Sequence, residues 1–162
     1  MSQARWTVDV GTSLDDLSKL ADLSSGESFF SRRSYGACEF LIREGKEVCE
    51  KAKAKLIVMT IPDAHQLSEK GQRSLLAMGG DPNAFDPAYP DQQIESICHR
   101  LGIGFLAGRT FLDVTHYKPN DCHWNEKGHR RIMEELVRLH ASIQANPGVG
   151  LEEATASNPP VR

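Results

Sequence analysis

Ala54-Lys55-Leu56-Ile57-Val58-Met59-Thr60-Ile61-Pro62-Asp63 is the stretch on which the fold reading turns. Residues 56–61 are apolar without alternation and rich in β-branched side chains, the pattern of a central strand in a parallel sheet, covered on both faces. Pro62-Asp63 ends the run, because proline cannot donate to a strand ladder. Upstream, Ala37, Phe40, Leu41 and Val48 recur at helical spacing with Lys and Glu between them, which predicts a helix over 35–53 with Gly45 as a weak point.

Downstream, residues 64–78 read as a helix, and 79–90 as a loop with Pro82, Pro87 and Pro90. A compact helix follows over 91–101, its apolar stripe formed by Ile94, Ile97, Cys98 and Leu101 and its end marked by Gly102. Residues 103–107 read as a second short strand, and 111–117 as irregular. A last helix over 126–143, capped by Asn125, carries His129, Ile132, Met133, Leu136, His140 and Ile143 on one face. Helix, strand, helix, helix, strand, helix indicates an α/β layering around a parallel sheet, with few strands for a free-standing domain.

Both ends are less legible. Trp6-Thr7-Val8-Asp9-Val10 alternates like a strand, Gly11-Thr12-Ser13 breaks it, and 14–20 suits a short helix. The tail from Asn146 to Arg162 holds three prolines, two glycines and little apolar material, the composition of a disordered segment. The organisation is therefore an N-terminal segment over 1–34, a body over 35–143 and a tail over 144–162.

Length bounds this chain of 162 residues to one domain with a sizeable core. With a net charge of -3, no basic block invites nucleic acid and no acidic tail invites a cationic partner. Apolar runs are too short to span a membrane. The start, Met1-Ser2-Gln3-Ala4-Arg5-Trp6, lacks the apolar centre of a signal peptide. That favours the cytoplasm if Met1 is the true start, and leaves export open if the chain is a fragment. Cys38, Cys49, Cys98 and Cys122 form no CxxC pair, and Cys38 and Cys49 fall about three turns apart on one helix, too far for a disulfide.

The chemistry concentrates in Asn120-Asp121-Cys122-His123-Trp124-Asn125-Glu126-Lys127-Gly128-His129. On extended backbone, residues i and i+2 point to the same side. Asp121 can then orient one ring nitrogen of His123 while the other takes a proton from a hydroxyl. On a helix the two would diverge, so the reading requires residues 120–124 to be non-helical, as the Asn125 cap implies. Read blandly, the same residues are a loop with a solvated Asp121 and a half-buried His123 beside Trp124, and His129 packs on the core.

The motif Asp121-x-His123-Trp124-Asn125-x-x-Gly128-His129 resembles the last motif of the SGNH (GDSL-type) hydrolase family, in the branch where it reads Asp-x-His-Trp-Asn-x-x-Gly-His, as also in the related alginate O-acetylation proteins. The strand ending in Ile61-Pro62 and the step Cys98-His99-Arg100-Leu101-Gly102-Ile103 resemble that family too, so the likeness covers about half the chain, its C-terminal half. It implies a three-layer α/β/α fold with a parallel sheet, incomplete at the N-terminal side. It also implies a Ser-His-Asp triad acting on acyl esters or carbohydrate-type substrates, with His123 as base, Asp121 as orienting acid, and no cofactor or metal. Trp124, Asn125, Gly128 and His129 then serve packing, capping, close approach and core. The family's Gly-Asp-Ser and Gly-x-Asn-Asp blocks are absent. Ser13 in Gly11-Thr12-Ser13 is the nearest nucleophile, although it equally suits an N-cap for 14–20 with Asp16 at N3.

Three readings follow. The chain is the His–Asp half of an esterase or acyltransferase; or it is a non-catalytic binding or assembly module on the same fold, self-associating or taking a partner through open sheet edges; or Asp121 and His123, with His116 or His129, hold a divalent metal.

Overall fold

The computed structural model describes residues 29–77, 81–119, 121 and 123–145. The strand and helix expected over 6–20, Ser13 and the tail from 146 onward lie outside these. Helix α1 (Phe29–Lys51) leads to β1 (Ile57–Thr60), then to α2 (Ala64–Leu67) and α3 (Glu69–Leu76). Next come α4 (Tyr89–Leu101), β2 (Gly104–Ala107), short 3-10 turns at Gly108–Thr110 and Val114–His116, and α5 (Glu126–Ala145).

The element order is the one expected, and the fold is mixed α/β with a parallel pair as its sheet among the described residues. β1 and β2 run parallel in the register Ile57↔Gly104, Val58↔Phe105, Met59↔Leu106, Thr60↔Ala107. Such a pair requires a crossover, and the chain between the strands supplies it as α2, α3 and α4. Ile57, Met59 and Leu106 share one face of the sheet, where they meet Leu139 and Ile143 of α5 in one apolar cluster. α4 packs against both strands, and α1 packs on α4. β1 departs from the fully covered strand expected: all four of its residues are half-buried, and Ile61 beyond it is exposed.

Local chemistry accounts for the boundaries. Asp63 and Gln66 form a reciprocal capping box at the start of α2, with His65 N–H donating to Asp63 Oδ1 at 2.8 Å and Asp63 N–H to Gln66 Oε1 at 2.7 Å. The single helix expected over 64–78 is divided at Ser68. Its backbone is extended (φ -131, ψ 134), and its hydroxyl accepts from Gly71 N–H at 3.0 Å to cap α3. α4 begins at Tyr89, two residues before the expected start, because Pro90 fits the first turn of a helix. It ends where expected, on Gly102 in the left-handed region (φ 64), with Ile103 N–H bonded back to Cys98 O at 2.9 Å.

The apolar face read on α1 is turned outward. Phe40, Leu41 and Val48 are 61%, 66% and 65% exposed, whereas Tyr35, Cys38, Ile42, Gly45 and Cys49 lie half-buried on the opposing stripe. On α5 the inward stripe is Ile132, Glu135, Leu139 and Ile143, leaving Met133 and Leu136 exposed. Glu135 is 4% exposed and tolerated because Arg131 and Arg138 flank it on its own helix. Cys38, Cys49 and Cys98 are free thiols, and burial pushes that of Cys98 up to about 11, so it is inert at neutral pH. No helix among the described residues is long and apolar enough to cross a membrane.

Candidate functional site

The Asp121–His123 pair sits on a short hairpin between β2 and α5. Tyr117 and Trp124 form an antiparallel bridge, Lys118 N–H donates to His123 O at 2.9 Å, and Asp121 N–H returns to Lys118 O at 3.2 Å, closing a turn. The described residues of the segment are non-helical, as the pairing requires. Tyr117, 5% exposed, anchors the hairpin to the end of β1 by donating its hydroxyl to Pro62 O at 2.5 Å.

Within the hairpin one carboxylate oxygen holds His123 twice. Asp121 Oδ1 accepts the backbone N–H of His123 at 3.0 Å and lies 2.6 Å from its Nδ1. An ionised carboxylate only accepts, so the pairing places the proton on Nδ1 and leaves Nε2 as the unprotonated ring nitrogen. The ring hydrogen bond, then the backbone one, hold Asp121 below the usual carboxylate range, and the Lys118 ammonium adds to this. The His123 side chain is 74% exposed and that of Asp121 38%. A cleft of about 400 Å³ opens beside the pair, lined by Ala64, Val114, Thr115, Tyr117, Lys118, Pro119, Asp121 and Asn125.

Asn125 joins this hairpin to α5. Its Oδ1 accepts from Gly128 N–H at 3.1 Å, its Nδ2 donates to Thr115 O at 2.7 Å and Tyr117 O at 2.9 Å, and its N–H donates to His116 O at 3.0 Å. Asn125→Ala is expected to destabilise the fold by about 2 kcal/mol, because it removes both the cap and two carbonyl partners. Asn125→Asp keeps the cap acceptor but sets a second carboxylate oxygen against both carbonyls, so it too should melt below the wild type in thermal denaturation.

Gly128 is placed by contact: a Cβ there would lie 2.3 Å from His116 O and 3.0 Å from Trp124 Cβ. His129 corrects the expectation of a core residue. It is exposed, with its ring edge-on to Trp124 at 5.4 Å between centroids, because the first turn of α5 presents it beside the hairpin and away from the sheet.

The structure also holds an Asp-x-His pair that the sequence reading passed over. In Asp63-Ala64-His65, Asp63 Oδ1 accepts His65 N–H at 2.8 Å and lies 2.5 Å from its Nδ1, repeating the geometry of the first pair. In sequence Asp63 reads as the end of the strand; in the structure it also caps α2 and pairs with His65. Burial separates the two, since the His65 side chain is 10% exposed against 74% for His123. Proton exchange with a substrate favours the exposed ring. His116 accepts on Nδ1 from Asp113 N–H at 3.0 Å, within a capping box of its own. No group of three His, Cys, Asp or Glu among the described residues is placed to hold a metal ion.

Comparison with family models, curated proteins and solved structures finds no match to the chain.

Proposed function

We propose that this chain carries the His–Asp half of a Ser-His-Asp site of the SGNH type, acting on acyl esters as a hydrolase or an O-acyltransferase. The observation that carries this reading is the Asp121 Oδ1–His123 Nδ1 contact of 2.6 Å on a non-helical hairpin, beside an open cleft. His123 is the general base through Nε2, and Asp121 fixes its tautomer and stabilises the imidazolium formed when it takes a hydroxyl proton. The finer architecture belongs to the same proposal: α5 on one face of the sheet and α4 with α1 on the other make a three-layer α/β/α unit.

The nucleophile nominated by sequence is Ser13. The test is to incubate the purified chain with p-nitrophenyl acetate and a fluorophosphonate probe. Turnover together with His123-dependent labelling at Ser13 is the expected result for a self-contained enzyme. Absence of both labelling and turnover removes serine catalysis from these 162 residues alone. That outcome would favour the second reading, a binding or assembly module, for which the outward apolar stripe of Phe40, Leu41 and Val48 on α1 is the supporting observation.

A further inference from the structure

We infer that Arg109, held in place by Asp91, is an oxyanion-binding residue at the carboxyl rim of the sheet, taking a carboxylate or phosphate group on its two terminal nitrogens. This does not depend on the catalytic role of His123. Three elements converge on the rim: Thr60 ends β1, Asp91 lies in the first turn of α4, and Arg109 follows β2 in the turn Gly108–Thr110. In open α/β sheets this end of the strands is where ligands gather. Gly108 fixes the backbone beside Arg109, since a Cβ there would lie 2.4 Å from Thr60 O.

Asp91 is 5% exposed, and its Oδ2 lies 3.0 Å from Arg109 Nε without receiving a directed hydrogen bond from any group. A buried carboxylate facing a single charged partner is a poor way to gain stability. It does tether the guanidinium at the rim by charge. The Arg109 side chain is 38% exposed, and Nε is the guanidinium nitrogen that lies 3.0 Å from Asp91. The opposite edge of the guanidinium is a rigid two-donor fork, which matches the spacing of two oxygens on a carboxylate or phosphate. Arg43, Arg73 and Arg130, by contrast, pair with Glu39, Glu69 and Glu126 one turn away on their own exposed helix faces.

The test is a titration of the isotope-labelled full chain with potassium phosphate and, separately, potassium acetate at constant ionic strength, followed through the arginine Nε–Hε signals. The Arg109 signal is identified by its loss in Arg109→Lys. Arg109 is expected to shift saturably while Arg43 and Arg130 drift without saturating. Saturation by phosphate alone identifies a phosphate group as the ligand chemistry, and saturation by both identifies a general oxyanion site. Arg109→Lys should weaken binding at least five-fold, read from backbone amides around Gly108, while keeping the charge and the fold. Asp91→Asn should weaken it at least three-fold. A response at Arg109 no different from that at Arg43, or unchanged affinity in Arg109→Lys, overturns the proposal and leaves the pair as a strut between α4 and β2. The lysine variant alone decides the matter if Asp91→Asn does not fold.

Discussion

His123→Gln is expected to lower ester turnover through this site by about three orders of magnitude while leaving the fold intact. The fold should survive because the ring is 74% exposed and packs on little. Turnover should fall because glutamine offers no basic nitrogen where Nε2 stands. Asp121→Asn by itself should lower turnover by about two to four orders of magnitude, because an amide at that position no longer demands a proton on Nδ1. The two substitutions together should cost little more than the worse one, since they disable a single unit. Rates with p-nitrophenyl acetate and circular dichroism spectra of all three variants would check this. Full turnover in His123→Gln, in a preparation whose wild type is active, would sink the dyad as catalytic machinery. Asp121, held below the usual carboxylate range, keeps its charge when the pH drops through ordinary carboxylate values. The pairing it provides is therefore present at neutral and mildly acidic pH and is lost only below its own lowered titration point.

The second large effect concerns Gly128. Alanine is the better helix former by about 1 kcal/mol, and on propensity alone Gly128→Ala would stabilise the first turn of α5. Here the added methyl meets the His116 carbonyl oxygen at 2.3 Å and Trp124 Cβ at 3.0 Å, neither of which is the end of a flexible side chain. Helix α5 or the hairpin must move, and overpacking of this kind costs about 1–3 kcal/mol on top of the forgone propensity gain. The expected result is a melting temperature lower by about 4–10 °C. Ester turnover should fall as well, because the displaced backbone is the one that carries Asp121 and His123. A rise in melting temperature would mean that the close approach at Gly128 is absent in solution.

Much of this arrangement is legible in sequence wherever the chemistry is local. Gly102 announces the end of α4 because only a residue without Cβ enters the left-handed region at no cost. Asn125 announces α5 because its short amide reaches the first-turn donors. The element order follows from periodicity, and the pairing of Asp121 with His123 from their spacing. What sequence hides is contingent on tertiary packing. Phe40, Leu41 and Val48 read as the buried face of α1, yet the helix is rotated so that Tyr35, Cys38 and Ile42 approach the body of the fold. A hydrophobic stripe states that a face seeks cover, not which neighbour supplies it. Ser68 reads as an ordinary helical position until its side chain captures Gly71 N–H and starts a new helix. Asp91 and Arg109 are eighteen positions apart with a strand between them, so no local pattern joins them.

The hairpin between Tyr117 and Trp124 has a consequence for the order in which this protein assembles. The Tyr117–Trp124 bridge and the Lys118, Asp121 and His123 hydrogen bonds that shape the pair close within that short span. Closing so small a loop costs little chain entropy, and structure built from near neighbours forms early. The Tyr117 hydroxyl on Pro62 reaches across 55 positions to seat the hairpin on the sheet. The hydrogen bonds within the pair are thus local, whereas its aim relative to the sheet depends on a contact made far along the chain.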